Sequence, residues 1–256
     1  MPVFSLTIAR ITFLEALRSR MTWVAIVAMG VAFGVAQFLS QVAMIELAQI
    51  QTAIMAAMLR ATGVFLVSAF CITSLARESN DKIVELFLSQ PAARSQYYLG
   101  KIAGCAAVAA ALAAGFSAPL AIYSPVAQVA AWGVSFACEL LIVASISIFC
   151  AISLTHVIAA FAATAGFYLL ARSIGAMQII AATPINIEAS WTDDVFRWII
   201  DAIALLMPNL DRMTLTSWLI DRGPTVEEIS QWATQTFVYL LLIGAATMID
   251  LYRKNF

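Results

Sequence analysis

Residues 102–138 read IAGCAAVAAALAAGFSAPLAIYSPVAQVAAWGVSFAC, 37 consecutive positions without an Asp, Glu, Lys or Arg. A bilayer core about 30 Å thick is crossed by roughly 20 helical residues, so the run is too long for one crossing. Pro119, Tyr123 and Pro125 divide it, which predicts a third span over 102–122 and a fourth over 127–152. Lipid offers the backbone no hydrogen bonds, and barrel strands would alternate polar and apolar residues over short segments. A run this uniform predicts helices.

The same pattern extends outward in both directions. Of 256 residues, 62% are hydrophobic and 11% charged, and the mean hydropathy is +0.92. Ordinary soluble domains are about 45–50% apolar and about 25% charged. The remaining uncharged runs predict a first span over 21–39, a second over 54–75, a fifth over 157–175 and a sixth over 226–249. The expected fold is all-α: one polytopic membrane domain over 1–256, with six transmembrane helices and little chain left over. In residues 1–20, Phe4, Ile8, Ile11, Leu14 and Leu17 alternate with Arg10, Glu15, Arg18 and Arg20, as in a helix lying in the membrane interface. No cleavable signal peptide is expected, because these residues hold no single apolar core.

Region 176–225 is the longest non-spanning stretch. Asp194, Arg197 and Asp201 share one helical face opposite Val195, Phe196, Trp198 and Ile199, which predicts a second interfacial helix. Thr225-Val226-Glu227-Glu228 forms a capping box that starts the last helix. Gly30 and Gly34 form a GxxxG arrangement on the first span, a pattern that permits close helix packing.

Lys and Arg orient the chain. Arg10, Arg18, Arg20, Arg77, Lys82, Arg94, Lys101, Arg253 and Lys254 gather at the termini and in the 77–101 loop, whereas 176–225 holds only Arg197, Arg212 and Arg222. By the positive-inside rule both termini and the 77–101 loop are expected in the cytoplasm. A formal net charge of -1 gives no reason to expect nucleic acid as a partner.

Catalytic chemistry has few candidates. His156 is the single histidine, so no HExxH pair is possible, and GxSxG is absent. Cys71, Cys105, Cys138 and Cys150 fall within spans without CxxC spacing and read as small packing residues. An enzyme and a metal site are therefore not expected. Gly100-Lys101 fails the P-loop pattern, which needs Gly at Ser95 and Ser or Thr at Ile102. Two ionisable residues interrupt the spans: Arg60, near enough to an interface to snorkel, and Glu139, mid-helix, which needs a partner, a wet cavity or a proton. Arg172, near the far end of the fifth span, is placed to reach the headgroups.

The charged segment Arg77-Glu78-Ser79-Asn80-Asp81-Lys82-Ile83-Val84-Glu85-Leu86-Phe87-Leu88-Ser89-Gln90 predicts a short amphipathic helix closed by Pro91. Arg77-Glu78, Glu85-Leu86, Ser89-x-Pro91, Arg94 and Tyr97-Tyr98-Leu99-Gly100-Lys101 resemble the loop between the second and third spans of type-2 export permeases of ATP-binding-cassette transporters. Leu206-Met207-Pro208-Asn209-Leu210-Asp211 resembles the stretch before their last span, especially in the permease of the copper-maturation system of nitrous oxide reductase. The resemblance implies a bacterial inner-membrane half-transporter, paired with a second copy or homologue and driven by cytoplasmic ATPase subunits that bind the ATP and Mg. It further implies that 77–90 is a coupling helix, with Arg77, Glu78, Asp81, Lys82, Glu85, Leu86 and Phe87 docking the ATPase and His156 in a smaller contact. A translocation path between two permeases would draw on Arg60, Thr62, Ser68, Glu139, Thr164 and Ser173. Two other readings stay open at this level: an ion-coupled transporter or channel built on Glu139, and a membrane anchor for an extracytoplasmic protein bound through the acidic 188–228 region.

Overall fold

A computed structural model of the chain describes residues 2–42, 47–81, 94–154, 156–182 and 191–253. Among these residues there are helices and no strands. The helices are α1 (Pro2–Arg18), α2 (Arg20–Val42), α3 (Leu47–Asn80), α4 (Arg94–Ser117), α5 (Val126–Ser153), α6 (Val157–Ala182), α7 (Trp191–Leu206), α8 (Ser217–Ile220) and α9 (Val226–Arg253). Short 3-10 turns occupy Ala118–Ile122 and Leu210–Arg212. Six helices are long and apolar enough to cross a membrane: α2, α3, α4 with its 3-10 extension, α5, α6 and α9. The chain is an all-α polytopic membrane protein.

α5 is the hub. It packs against α3, α4, α6 and α9, and 61% of its most apolar window is buried, against 17% for α2. Its sequence fits that place, because Val129, Trp132, Phe136, Leu140, Val143 and Ile148 point into the core while Ser135, Ser145 and Ser147 are also fully enclosed. The last two hydroxyls donate to Leu141 O and Val143 O of their own helix, which leaves no orphaned donor in an apolar interior. The outer helices expose Trp23, Val27, Phe38, Ile158, Leu169, Phe237 and Leu242, the surface expected where lipid is the solvent.

α1 lies along α4, and the contact depends on two missing side chains. A Cβ at Gly100 would stand 2.8 Å from Ser5 O and 2.9 Å from Ile8 Cβ, and one at Gly104 would stand 2.6 Å from Thr12 Cβ. The functional GxxxG arrangement is therefore Gly100–Gly104. At Gly30 and Gly34, where the pattern is also present, an added Cβ would meet nothing within 4 Å among the described residues. Leu6, Ile11 and Leu17 on α1 stay exposed, so the helix buries one side on α4 and turns apolar residues outward.

Two boundaries differ from the sequence expectation. α3 begins at Leu47 and runs unbroken to Asn80, so Arg77 and Glu78 continue the second span instead of opening a separate helix. α4 begins at Arg94, eight residues before the expected span, because Tyr97, Tyr98 and Lys101 are all buried against the bundle and need no aqueous surface. The capping box stands as expected: Thr225 N donates to Glu228 Oε2 (2.6 Å) and Glu228 N to Thr225 Oγ1 (3.3 Å).

The two glycine pairs make opposite predictions. Gly104→Ala should destabilise the purified protein by about 1–3 kcal/mol through overpacking against Thr12. Gly30→Ala should be neutral or stabilising by up to about 1 kcal/mol through helix propensity. Thermal unfolding of both variants in detergent checks the signs.

Candidate functional site

The most concentrated chemistry in the chain lies deep in the bundle. Glu139, 13 positions past the start of α5, sits about 20 Å along that helix and is fully buried. A lone carboxylate there would cost several kcal/mol. Its three partners come from α6 and from the segment before α9. Tyr168 OH of α6 donates to Oε1 (2.9 Å), Thr214 Oγ1 donates to Oε2, and Arg172 Nη1 of α6 stands 3.7 Å from Oε1.

Thr214 belongs to the segment joining α7 to α9, and its contact with mid-α5 means that this segment enters the bundle. Leu210, Met213, Trp218 and Leu219 are buried with it, an apolar hairpin wall around one polar residue. Thr214 has a φ of 50°, an unfavourable left-handed conformation for a β-branched residue, of the kind that persists only when its surroundings over-determine it. Every polar group of Thr214 is engaged. Its N–H donates to Ser135 Oγ (3.2 Å), its hydroxyl to Glu139, and its carbonyl accepts from Arg60 Nη1 of α3 (3.2 Å).

Arg172 binds the same segment through backbone. Its Nη1 donates to Leu210 O and to Met213 O (3.0 Å). Leu210 O also accepts from Met213 N (3.1 Å) in the 3-10 turn and Met213 O from the Thr214 hydroxyl (2.8 Å), and a guanidinium with its array of donors fills their remaining acceptor capacity. Gly175, one turn further along α6, completes the seat: a Cβ there would collide with the Asp211 carboxylate. The arrangement joins two cations and one anion, with excess positive charge absorbed by carbonyls, and clamps residues 208–219 against α3, α5 and α6.

This corrects two sequence readings. Arg172 does not reach outward to headgroups; it turns inward, because the re-entrant carbonyls lie on its own side of the bundle. Arg60 does not snorkel either. α3 begins seven residues earlier than expected, so Arg60 stands about three and a half turns inside the helix, and there it donates to Thr214 O. Of the six residues expected along a path, the structure joins Arg60 and Glu139 in one cluster. Thr62, Ser68, Thr164 and Ser173 donate instead to Met58 O, Phe65 O, Ala160 O and Leu170 O of their own helices and do not meet one another. Tyr168, Thr214 and Ser135 were missed; a tyrosine or threonine among apolar residues carries no sign of a buried partner.

At the opposite end of the bundle a second polar cluster binds α1, α3 and α4 together. Arg77 pairs with Glu15, and Ser74 Oγ donates to the same carboxylate (3.1 Å). Lys101, only 1% exposed, pairs with Glu78 (2.5 Å) and donates to Ser74 Oγ (2.8 Å), while Tyr97 OH donates to Glu78 Oε2 (2.5 Å). The Tyr97-to-Lys101 stretch is thus an internal fastening of α4 onto α3 and α1. Asp81 and His156 are exposed. His156 lines a cavity of about 250 Å³ with Ser79, Asn80, Tyr97 and residues of the α5–α6 turn and α9. Lys82, Glu85, Leu86 and Phe87 lie outside the described residues. Among the described residues no three His, Cys, Asp or Glu side chains gather where they could hold a metal ion, and the four cysteines are free thiols.

The clamp predicts an order of stabilities. Glu139→Leu leaves Arg172 buried without its counter-charge and should cost about 3–5 kcal/mol. Glu139→Gln keeps a carbonyl for one of the two hydroxyls and should cost about 1–3 kcal/mol. Melting of the detergent-purified variants should rank wild type above Gln above Leu. No family model matches this chain, and no curated protein is similar to it at a significant level.

Proposed function

We propose that this chain is the membrane-spanning subunit of an ATP-binding-cassette exporter, moved by a separate cytoplasmic ATPase. The observation that supports this most is the unbroken α3. One helix carries Arg60, which holds the re-entrant segment, and 17 positions further on carries Arg77 and Glu78, a separation of about 26 Å. A push on the Arg77 end would be passed to the Arg60 end without a hinge between them. α1 shares that motion through Glu15, and α4 through Lys101. Such a bistable bundle, biased from one side, is how a motor without contact to the cargo opens and closes a path.

In this reading the Arg77 end, both termini and the 77–101 loop face the cytoplasm of a bacterial inner membrane, in line with the distribution of Lys and Arg. Segment 77–90, with Lys82, Glu85, Leu86 and Phe87, docks the ATPase, and the cavity beside His156 supplies the smaller contact. The working unit pairs this permease with a second copy or a homologue. The re-entrant segment 208–219 is then the outer closure, and the Glu139 cluster is the latch that releases it. The complete engagement of Glu139 by Tyr168, Thr214 and Arg172 favours this holding role over a proton or cation site.

Affinity purification of the full chain from its native membrane should bring down a Walker-motif ATPase, and Glu85→Arg or Leu86→Asp should remove at least nine-tenths of it while the permease remains folded. Transport by the purified chain alone, driven by an ion gradient and independent of ATP, would contradict the proposal.

A further inference from the structure

The last span carries a polar stripe that the latch does not use. Glu228, Gln231, Trp232, Gln235 and Tyr239 on α9 fall at i, i+3, i+4, i+7 and i+11, which places them on one face over about 16 Å of helix. Amides facing hydrocarbon along a span are costly. Here the stripe forms one wall of an open cleft of about 660 Å³, whose other wall is Asn209, Arg212 and Leu215 of the re-entrant segment.

Three features define what the cleft would hold. Arg212 is exposed and forms no ion pair among the described residues, so a full positive charge stands at the rim. Trp232 Nε1 and Gln235 Nε2, on the α9 wall, find no acceptor in the protein, and each is a donor. Glu228, the one carboxylate on the wall, is already held by Thr225 N and by Arg222 at 3.5 Å, so its charge is offset. A cation with unsatisfied N–H donors calls for an anionic group rich in acceptors. Depth narrows the class. α9 starts at Val226, so Trp232 lies about 9 Å below the helix start, the level at which aromatic residues meet lipid headgroups, and Leu215 and Val238 add apolar surface to the same cleft.

We propose that this cleft binds a phosphate ester, with Arg212 and the unpartnered N–H groups of Trp232 and Gln235 on the phosphate and Leu215 and Val238 against the adjoining carbon chain. The bilayer supplies that chemistry as a phospholipid headgroup; a soluble phosphate monoester would supply it from the aqueous side. The inference is independent of how the bundle is powered.

Native mass spectrometry of the full chain in detergent, titrated with dioleoyl phosphatidylglycerol and separately with glycerol 3-phosphate, tests it. Wild type should retain one phosphatidylglycerol, and Arg212→Gln and Gln235→Leu, both on the cleft wall, should each weaken retention at least tenfold. Circular dichroism would verify that both variants keep their helical content. Saturable, Arg212-dependent binding of glycerol 3-phosphate with no specific lipid adduct would assign the site to a soluble ester. Equal binding of both probes by wild type and both variants would overturn the proposal.

Discussion

A carboxylate buried in a lipid-solvated bundle must be answered by charge and by hydrogen bonds, and in this protein the answer organises the fold. Glu139 sits on the most enclosed helix, and satisfying it requires Tyr168 and Arg172 from α6 and Thr214 from a segment that would otherwise lie outside the membrane. The obligation also runs the other way. Residues 208–219 bring irregular backbone into the bundle, and the two guanidinium groups from α3 and α6, with Ser124 and Ser135, supply partners for it. Each half supplies partners that the other lacks. A strained Thr214 is retained at the point where they meet.

The two polar clusters are connected by rigid helix and otherwise separated by apolar packing. α3 belongs to both, through Arg60 at one level and through Ser74, Arg77 and Glu78 at the other. α1 and α4 join only the second cluster, and α5 and α6 supply most of the first. A displacement of α3 along its axis would therefore act on both at once, and it would carry α2, whose main packing is on α3 and whose Ala36 O accepts from Gln51 of α3 (3.0 Å).

Most of the fold was legible in the sequence because lipid makes length and charge decisive. The six spans, the break at Pro119–Pro125 and the capping box at Thr225 follow from local composition. The helix ends were less legible: α3 extends past the apolar run at its C-terminal end because Arg77 and Glu78 find partners in Glu15, Lys101 and Tyr97, contacts 19 to 62 residues distant in sequence. The site was half legible. Glu139 and Arg60 stand out as charges among apolar residues, but their meeting point is Thr214, 75 residues from one and 154 from the other, and no periodicity encodes that distance. The GxxxG pattern shows the same limit, since Gly30–Gly34 and Gly100–Gly104 look alike in sequence and only the second has a helix against it.

Hydrogen–deuterium exchange of the full chain in lipid nanodiscs, read at the amides of residues 208–219, measures the grip of the Glu139 cluster directly. In wild type these amides should exchange as slowly as those of the flanking spans, and in Glu139→Gln they should exchange at least tenfold faster while α5 and α6 remain protected. Fast exchange of this segment in wild type, or identical exchange in the two proteins, would mean that Glu139 does not hold it.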